Sequence, residues 1–154
     1  MKVSIVTFPE TRVAMVSHLG APEGEHDTAL KLIRWKIAKG LLDQARYRSY
    51  GLHYVNPANN SPRQHRVDFC LSIESPVDAN DAGIVEAVIP SMRCALARDV
   101  GSRMNNQAAR YLFEEWLPAS TEELADYPVI FHYVNVGPGV AENEAITDVY
   151  LPLK

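Results

Sequence analysis

His53-Tyr-Val-Asn56 and His132-Tyr-Val-Asn135 spell the same four residues, once in each half of a 154-residue chain. The surroundings repeat too. Arg12-Val-Ala-Met-Val-Ser-His-Leu-Gly20 lies over Arg93-Cys-Ala-Leu-Ala-Arg-Asp-Val-Gly101 at an offset of 81 (93 − 12). The only two tryptophans, Trp35 and Trp116, fall on each other at the same offset. The His-Tyr-Val-Asn blocks are 79 apart (132 − 53), and Val67–Ile73 matches Thr147–Leu153 at 80 (147 − 67). This period is far longer than the roughly 20–50 residues of solenoid and propeller repeats. The blocks imply one half-domain written twice, at about 1–75 and 84–154, within a single domain spanning 1–154. Both halves must then share one core.

A chain of this size buries roughly 68–70% of its unfolded surface as one domain. Its 47% apolar and 22% charged residues are those of a soluble globular protein. Fifteen Lys and Arg against 19 Asp and Glu leave a formal charge of −4, which argues against a phosphate-binding surface. The apolar runs fall well short of the ~18 residues of a membrane span. Met1–Val6 lacks the long apolar stretch of a signal peptide. Cys70 and Cys94 have no C-x-x-C spacing and read as reduced, partly buried thiols in a cytoplasmic protein.

Each half reads as strand–helix–strand–strand. Val3–Phe8 and Arg12–His18 are Val-rich and extended, broken at Pro9. A helix runs from a cap at Asp27 or Thr28 to Gly40, with an apolar arc wide enough to be covered on more than one side. Leu52–Asn56 is the next strand, ended by the turn-rich Pro57–Pro62, and Arg66–Ile73 alternates as a half-buried strand. In the second half, residues 87–100 are extended with a break at Pro90. A helix spans about 105–116 and stops at Pro118, and strands follow at 129–135 and 147–153. The implied fold is α+β: a curved, mostly antiparallel sheet with pseudo-twofold symmetry, helices on one face and a groove or cavity on the other.

Residue parity suggests what that groove holds. Tyr54 and Tyr133 occupy equivalent motif positions, and Phe131 shares the parity of Tyr133. On the last strand, Asp148 and Tyr150 alternate against the core-like Val149, Leu151 and Leu153. One face would then carry Phe131, Tyr133, Tyr150 and the Asp148 carboxylate, a setting for a large apolar or cationic ligand. Equally, these tyrosines could cap a small second core with their hydroxyls in water.

Arg12–Gly20, the helical Trp35, Tyr50-Gly-Leu-His-Tyr54, Arg66-Val-Asp68, Glu115-Trp-Leu-Pro118 and Thr147–Leu153 together resemble the GyrI-like small-molecule-binding domain. That domain is the effector-binding portion of some AraC-type and MerR-type transcription regulators and also stands alone, as in the gyrase inhibitory protein. The resemblance covers nearly the whole chain. It implies a central cavity for lipophilic, often cationic, compounds, with a glutamate in a Phe-Glu-x-Tyr strand. The matching positions are Ile130, Phe131, His132 and Tyr133, so Phe131 replaces that glutamate. A desolvated carboxylate is what would hold a cation there; Asp148, its mate Asp68 and, more weakly, Glu114 are the substitutes.

Other chemistry is poorly supported. His53 and His132 hold equivalent places, but no ligand-spaced Cys or carboxylate accompanies them. Gly137-Pro-Gly139 lacks the lysine and helix of a phosphate loop, and no nucleophile elbow is present. Some members of the resembling family hydrolyse cyclopropane-bearing compounds with pocket carboxylates. Without the glutamate this chain suits such work poorly, and hydrolase activity is the lesser alternative. The expectation is therefore a non-enzymatic module without a cofactor, binding a lipophilic small molecule, cations included, as a sensor or a sequestering protein. The expected lining is Trp35, Tyr50, Tyr54, Glu114, Trp116, Phe131, Tyr133 and Tyr150, with Asp148 as polar anchor. A protein–protein interaction module regulating a topoisomerase or transcription is the rival. Neither membrane nor direct nucleic-acid binding is expected of this chain alone; a homodimer, or a fused or partner DNA-binding domain, is the expected macromolecular partner. Met1 at the start favours a free-standing protein over a piece of a longer regulator.

Overall fold

A computed structural model describes residues 1–54 and 65–154. The Pro57–Pro62 turn and the expected strand end at Val55 and Asn56 lie outside the described residues. The strands are β1 (Ser4–Phe8), β2 (Thr11–Leu19), β3 (Ser49–His53), β4 (Arg66–Ser72), β5 (Val85–Ile89), β6 (Met92–Val100), β7 (Val129–Tyr133) and β8 (Ile146–Pro152). They form one antiparallel sheet in the order β1-β6-β8-β7-β3-β4-β2-β5. Strand bounds recur at fixed spacings. β1 to β5 is 81 (85 − 4), β2 to β6 is 81 (92 − 11), β3 to β7 is 80 (129 − 49), and β4 to β8 is 80 (146 − 66). Exchanging each strand for its counterpart returns the same order read from the other end.

Helix α1 (Glu25–Lys39) follows a 3-10 turn at Pro22–Gly24. It starts earlier than the expected caps, because Thr28 turns its hydroxyl to His18 Nδ1 (2.8 Å) instead of to the helix backbone N–H groups. Gly40 ends it at φ 72°, a left-handed position that glycine fills without strain, its N–H donating to Ile37 O. Only one side of α1 is covered. Leu32 and Trp35 pack on the sheet, while Ile33 and Ile37 are 39% and 57% exposed, so the wide apolar arc is not buried on a second side.

The second helix comes in three consecutive pieces: α2 (Gln107–Tyr111), a π-helical turn (Leu112–Trp116) and α3 (Leu117–Ala119). Its start is doubly fixed. Asn106 Oδ1 accepts from Ala109 N (2.9 Å), and the buried Asp99 carboxylate accepts from Gln107 N (3.0 Å). Pro118 does not stop the helix at Trp116; it lies within α3, and the helix ends one residue later at Ala119.

Both sheet faces are packed. Helix α1 lies over β2 and β4, and α2 lies over β6 and β8. Beneath α1 are Ala14, Val16, Leu71 and Ile84; beneath the second helix are Ala95, Ala97, Val129, Val149 and Leu151. The other face gathers Phe8, Val13, Tyr50, Leu52, Cys70, Ile89, Cys94 and Ile130 into one cluster. Phe8 and Ile89 come from the two edge strands, so the sheet curls towards this face until its edges meet its centre. Each fully buried large apolar side chain contributes about 1.5–3 kcal/mol. Among the described residues, no helix is long and apolar enough to cross a membrane.

Candidate functional site

The helices cover the outer strands of each half, and the central pair β3 and β7 forms the floor between them. Pairing runs Ser49↔Tyr133, Gly51↔Phe131 and His53↔Val129 on the helix face, and Tyr50↔His132 and Leu52↔Ile130 on the other. A cleft of about 330 Å³ opens on the helix face, lined by His53, Val129 and Phe131 from the strands and by Ala109, Arg110, Phe113 and Glu114 from the second helix. This cleft lies on the helix side of the sheet; the curl packs much of the opposite face, where the groove is expected, as core.

The cleft floor is aromatic and held in place. The His53 and Phe131 rings lie 4.1 Å apart, tilted by 31°. His53 Nε2 shares a 3.0 Å hydrogen bond with the Tyr133 hydroxyl. Burial drives the His53 pKa down to about 4, outweighing the opposing pull of Glu25, so the ring is neutral at pH 7. Burial likewise pushes the Tyr133 hydroxyl well above its ordinary value, and it stays protonated. Arg103 lies 5.2 Å over the Tyr133 ring and donates to Asn135 O (2.8 Å), Ile146 O (3.0 Å) and Thr147 Oγ1 (3.1 Å), pinning the end of β7 to β8. Glu25, at the start of α1, pairs with His65.

The register divides the expected lining between two faces. Glu114 and Phe131 line the cleft, and Tyr133 supports its floor through His53. Trp116 packs into the core beneath the second helix and Trp35 into the core beneath α1, so neither lines the cleft. Tyr50, Tyr54, Asp148 and Tyr150 belong to the other face. Phe131 pairs with Val149 and Ile130 with Tyr150, so Phe131 and Tyr150 point in opposite directions. Asp148 is no anchor for a cleft ligand: both its oxygens accept from Arg98, at 2.7 and 3.0 Å, on the far side of the sheet. Asp68 is likewise engaged, accepting from Tyr54 Oη (2.9 Å) and Arg66 Nη2 (3.2 Å). His53 and His132, adjacent to the same axis, lie on opposite faces. Among the described residues, no three His, Cys, Asp or Glu gather as metal ligands. Of the cleft residues, His53 stands out in the sequence only as a possible metal ligand, and Val129, Ala109, Arg110 and Phe113 lie within expected elements without marking a site. The Ala109–Phe113 spacing was their one visible signal.

A two-helix, eight-stranded sheet with an aromatic cleft over its central strands defines a small-molecule-binding domain of the α+β class. The chain belongs to the family described as the GyrI-like small molecule binding domain, which it matches over residues 1–154. It is 34% identical over 154 residues to the probable transcriptional regulator YgiV of Escherichia coli K12, covering 99% of this chain and 96% of that one. Its fold is similar to the C-terminal domain of EcmrR (TM-score 0.76, 15% identity, 99% of this chain and 97% of that one). Against EcmrR in an EcmrR–DNA complex, the chain spans 57% of that chain's length and 99% of its own (TM-score 0.77, 14% identity). A structure of SAV2435 bound to tetraphenylphosphonium shares the fold at a TM-score of 0.57 and 10% identity, over 100% of this chain and 94% of that one.

Proposed function

We propose that the chain binds a lipophilic, ring-bearing small molecule in the cleft between the second helix and the central strands, as the sensing part of a transcription-control system. The observation carrying this reading is the Phe131–His53 stack flooring a cleft whose wall includes Phe113 and Val129. Its volume matches the roughly 300–1,000 Å³ of small-molecule sites. The π-helical turn supplies Phe113 and Glu114 to that wall, and such turns recur where a helix serves a site. The likeness to a protein bound to tetraphenylphosphonium supports a bulky aromatic ligand.

Charge selectivity is weak in this reading. Glu114 and Arg110 both border the cleft and are exposed, so their fields oppose each other and are screened by water. A cation therefore meets no desolvated counter-charge, and shape dominates. The reading is one of binding, not catalysis. DNA contact would come from a separate domain or a second subunit.

The test is titration with tetraphenylphosphonium and with neutral triphenylphosphine oxide, read by isothermal titration calorimetry. Both should bind, within about tenfold of each other, since an exposed charge contributes about 1 kcal/mol or less. Phe131→Ala should weaken both at least about tenfold, the loss expected for a buried aromatic contact. Unaltered affinity in Phe131→Ala rejects this cleft as the site.

A further inference from the structure

We propose a second site, for an aromatic carboxylate, on the face of the sheet away from the helices, anchored by Arg48. Across four neighbouring strands the register sets Tyr50, His132, Asp148 and Arg98 in one row. Arg98 takes both oxygens of Asp148, which closes that pair. Arg48 stands two residues before Tyr50 and extends β3, exchanging backbone contacts with Ser72: its N–H donates to Ser72 Oγ (2.8 Å), and Ser72 N donates to Arg48 O (2.9 Å). Its side chain therefore falls on the same face as Tyr50.

The Arg48 guanidinium meets the Tyr50 hydroxyl but keeps its Nε without an acceptor. Among the described residues its Nε is buried and has no hydrogen-bond partner, and no carboxylate lies within ion-pair distance of it. A buried guanidinium N–H without an acceptor is costly, and an arriving oxyanion relieves that cost. The Arg48 charge also acts on the hydroxyls of Tyr50 and Tyr150 and on the His132 ring. Burial lowers the His132 pKa, keeping that ring neutral, so Arg48, Arg98 and Asp148 sum to one positive charge.

The surroundings select the rest of the ligand. The Tyr50 and His132 rings are 5.0 Å apart, and Phe8 meets Tyr150 edge-on at 5.1 Å. Tyr50 is buried and forms the base, while Arg48, His132 and Tyr150 are half-buried and open to solvent. A single uncompensated guanidinium among flat rings fits a monoanion carrying an aromatic group. Arginine favours the planar carboxylate, which can take two of its N–H groups at once. Such a ligand would not compete with one in the cleft, since the sheet separates the two sites.

Benzoate is the probe, followed by the NMR resonances of the His132 and Tyr150 rings. Saturable shifts are expected there, and none at His53 or Phe131 in the cleft. Arg48→Gln should weaken benzoate at least about tenfold, the loss of a charge-assisted pair. Arg48→Lys, which keeps the charge but not Nε, should fall between the two. Benzylamine and benzyl alcohol should produce no saturable shift. The proposal is overturned by silent His132 and Tyr150 resonances at millimolar benzoate, by undiminished binding in Arg48→Gln, or by benzylamine binding as well as benzoate. If Arg48→Gln fails to fold, full benzoate affinity in Arg48→Lys rejects Nε as the anchor. Inorganic phosphate competing as well as benzoate rejects the aromatic class.

Discussion

Replacing Gly51 with alanine tests how tightly the cleft floor is built. Gly51 pairs with Phe131 and has no positive φ, so its backbone would accept any residue. What forbids a side chain is space. A Cβ there would intrude on the Tyr133 hydroxyl and sit 3.1 Å from its Cε2 and 3.0 Å from His53 Nε2. Tyr133 cannot swing freely, since Arg103 stacks on its ring and His53 holds its hydroxyl. Overpacking costs about 1–3 kcal/mol. Breaking the His53–Tyr133 bond adds about 1 kcal/mol. Alanine recovers about 0.5–1 kcal/mol over glycine in the chain entropy of the unfolded state. Gly51→Ala should therefore lose about 2 kcal/mol, which is a Tm about 4–8 °C lower for a chain of this size. Urea denaturation of four proteins completes the test: wild type, Gly51→Ala, Tyr133→Phe and the double variant. Removing the hydroxyl relieves the clash, so the double variant should be more stable than additivity predicts by at least about 0.5 kcal/mol. A loss under about 0.5 kcal/mol in Gly51→Ala, or strictly additive effects, would refute this steric account.

Two further outcomes follow from burial. The His53 pKa is depressed in the folded protein, so the unfolded chain binds the extra proton. The stability this contributes is intact above about pH 6.5 and is lost as pH falls towards 4, up to about 3 kcal/mol in all. Chemical denaturation at pH 7, 5.5 and 4.5 reads this, and His53→Gln should flatten the slope; an equally steep slope in that variant assigns the effect elsewhere. Cys70 and Cys94 are 1% and 0% exposed, and burial pushes the Cys94 thiol up to about 11 and Cys70 higher still. Ellman's reagent should label neither in the native protein at pH 8 and both in denaturant; rapid native labelling would contradict the packing.

Much of this architecture was legible in the sequence, and the reasons are local. Alternation in Arg66–Ile73 marked Val67, Phe69 and Leu71 as one face, and the register confirms them opposite His53, Gly51 and Ser49. Gly40 and the Pro9 and Pro90 breaks punctuate the elements by their own chemistry. The candidate site was less legible because both faces of the sheet are packed. Where one face is wet, hydrophobic alternation orients a strand; where both are buried, Phe131 and Tyr150 look alike, and only cross-strand pairing separates them. Asp148 misled for the same reason. A carboxylate beside a tyrosine suggests an anchor until Arg98, fifty residues away in sequence, is seen to hold it.

The central strands carry the sharper lesson, because there the repeated letters and the repeated structure disagree. His-Tyr-Val-Asn recurs at 79, whereas β3 and β7 correspond at 80. In a pleated strand one residue is the difference between faces. By position, the counterpart of Gly51 is Phe131, that of Leu52 is His132 and that of His53 is Tyr133. The shared motif therefore presents His53 to the cleft and His132 to the far side. Elsewhere the halves match in character: Asp68 with Asp148, Phe8 with Ile89, Ala14 with Ala95. They diverge at the axis, where a ring on one strand needs a glycine on the other, since two rings could not share the space. A symmetric floor would be either full or empty. Gly51 leaves the room that Tyr133 and His53 fill, which lets the His53–Phe131 stack floor the cleft between the two helices, and it ties a change in one half's central strand to a compensating change in the other.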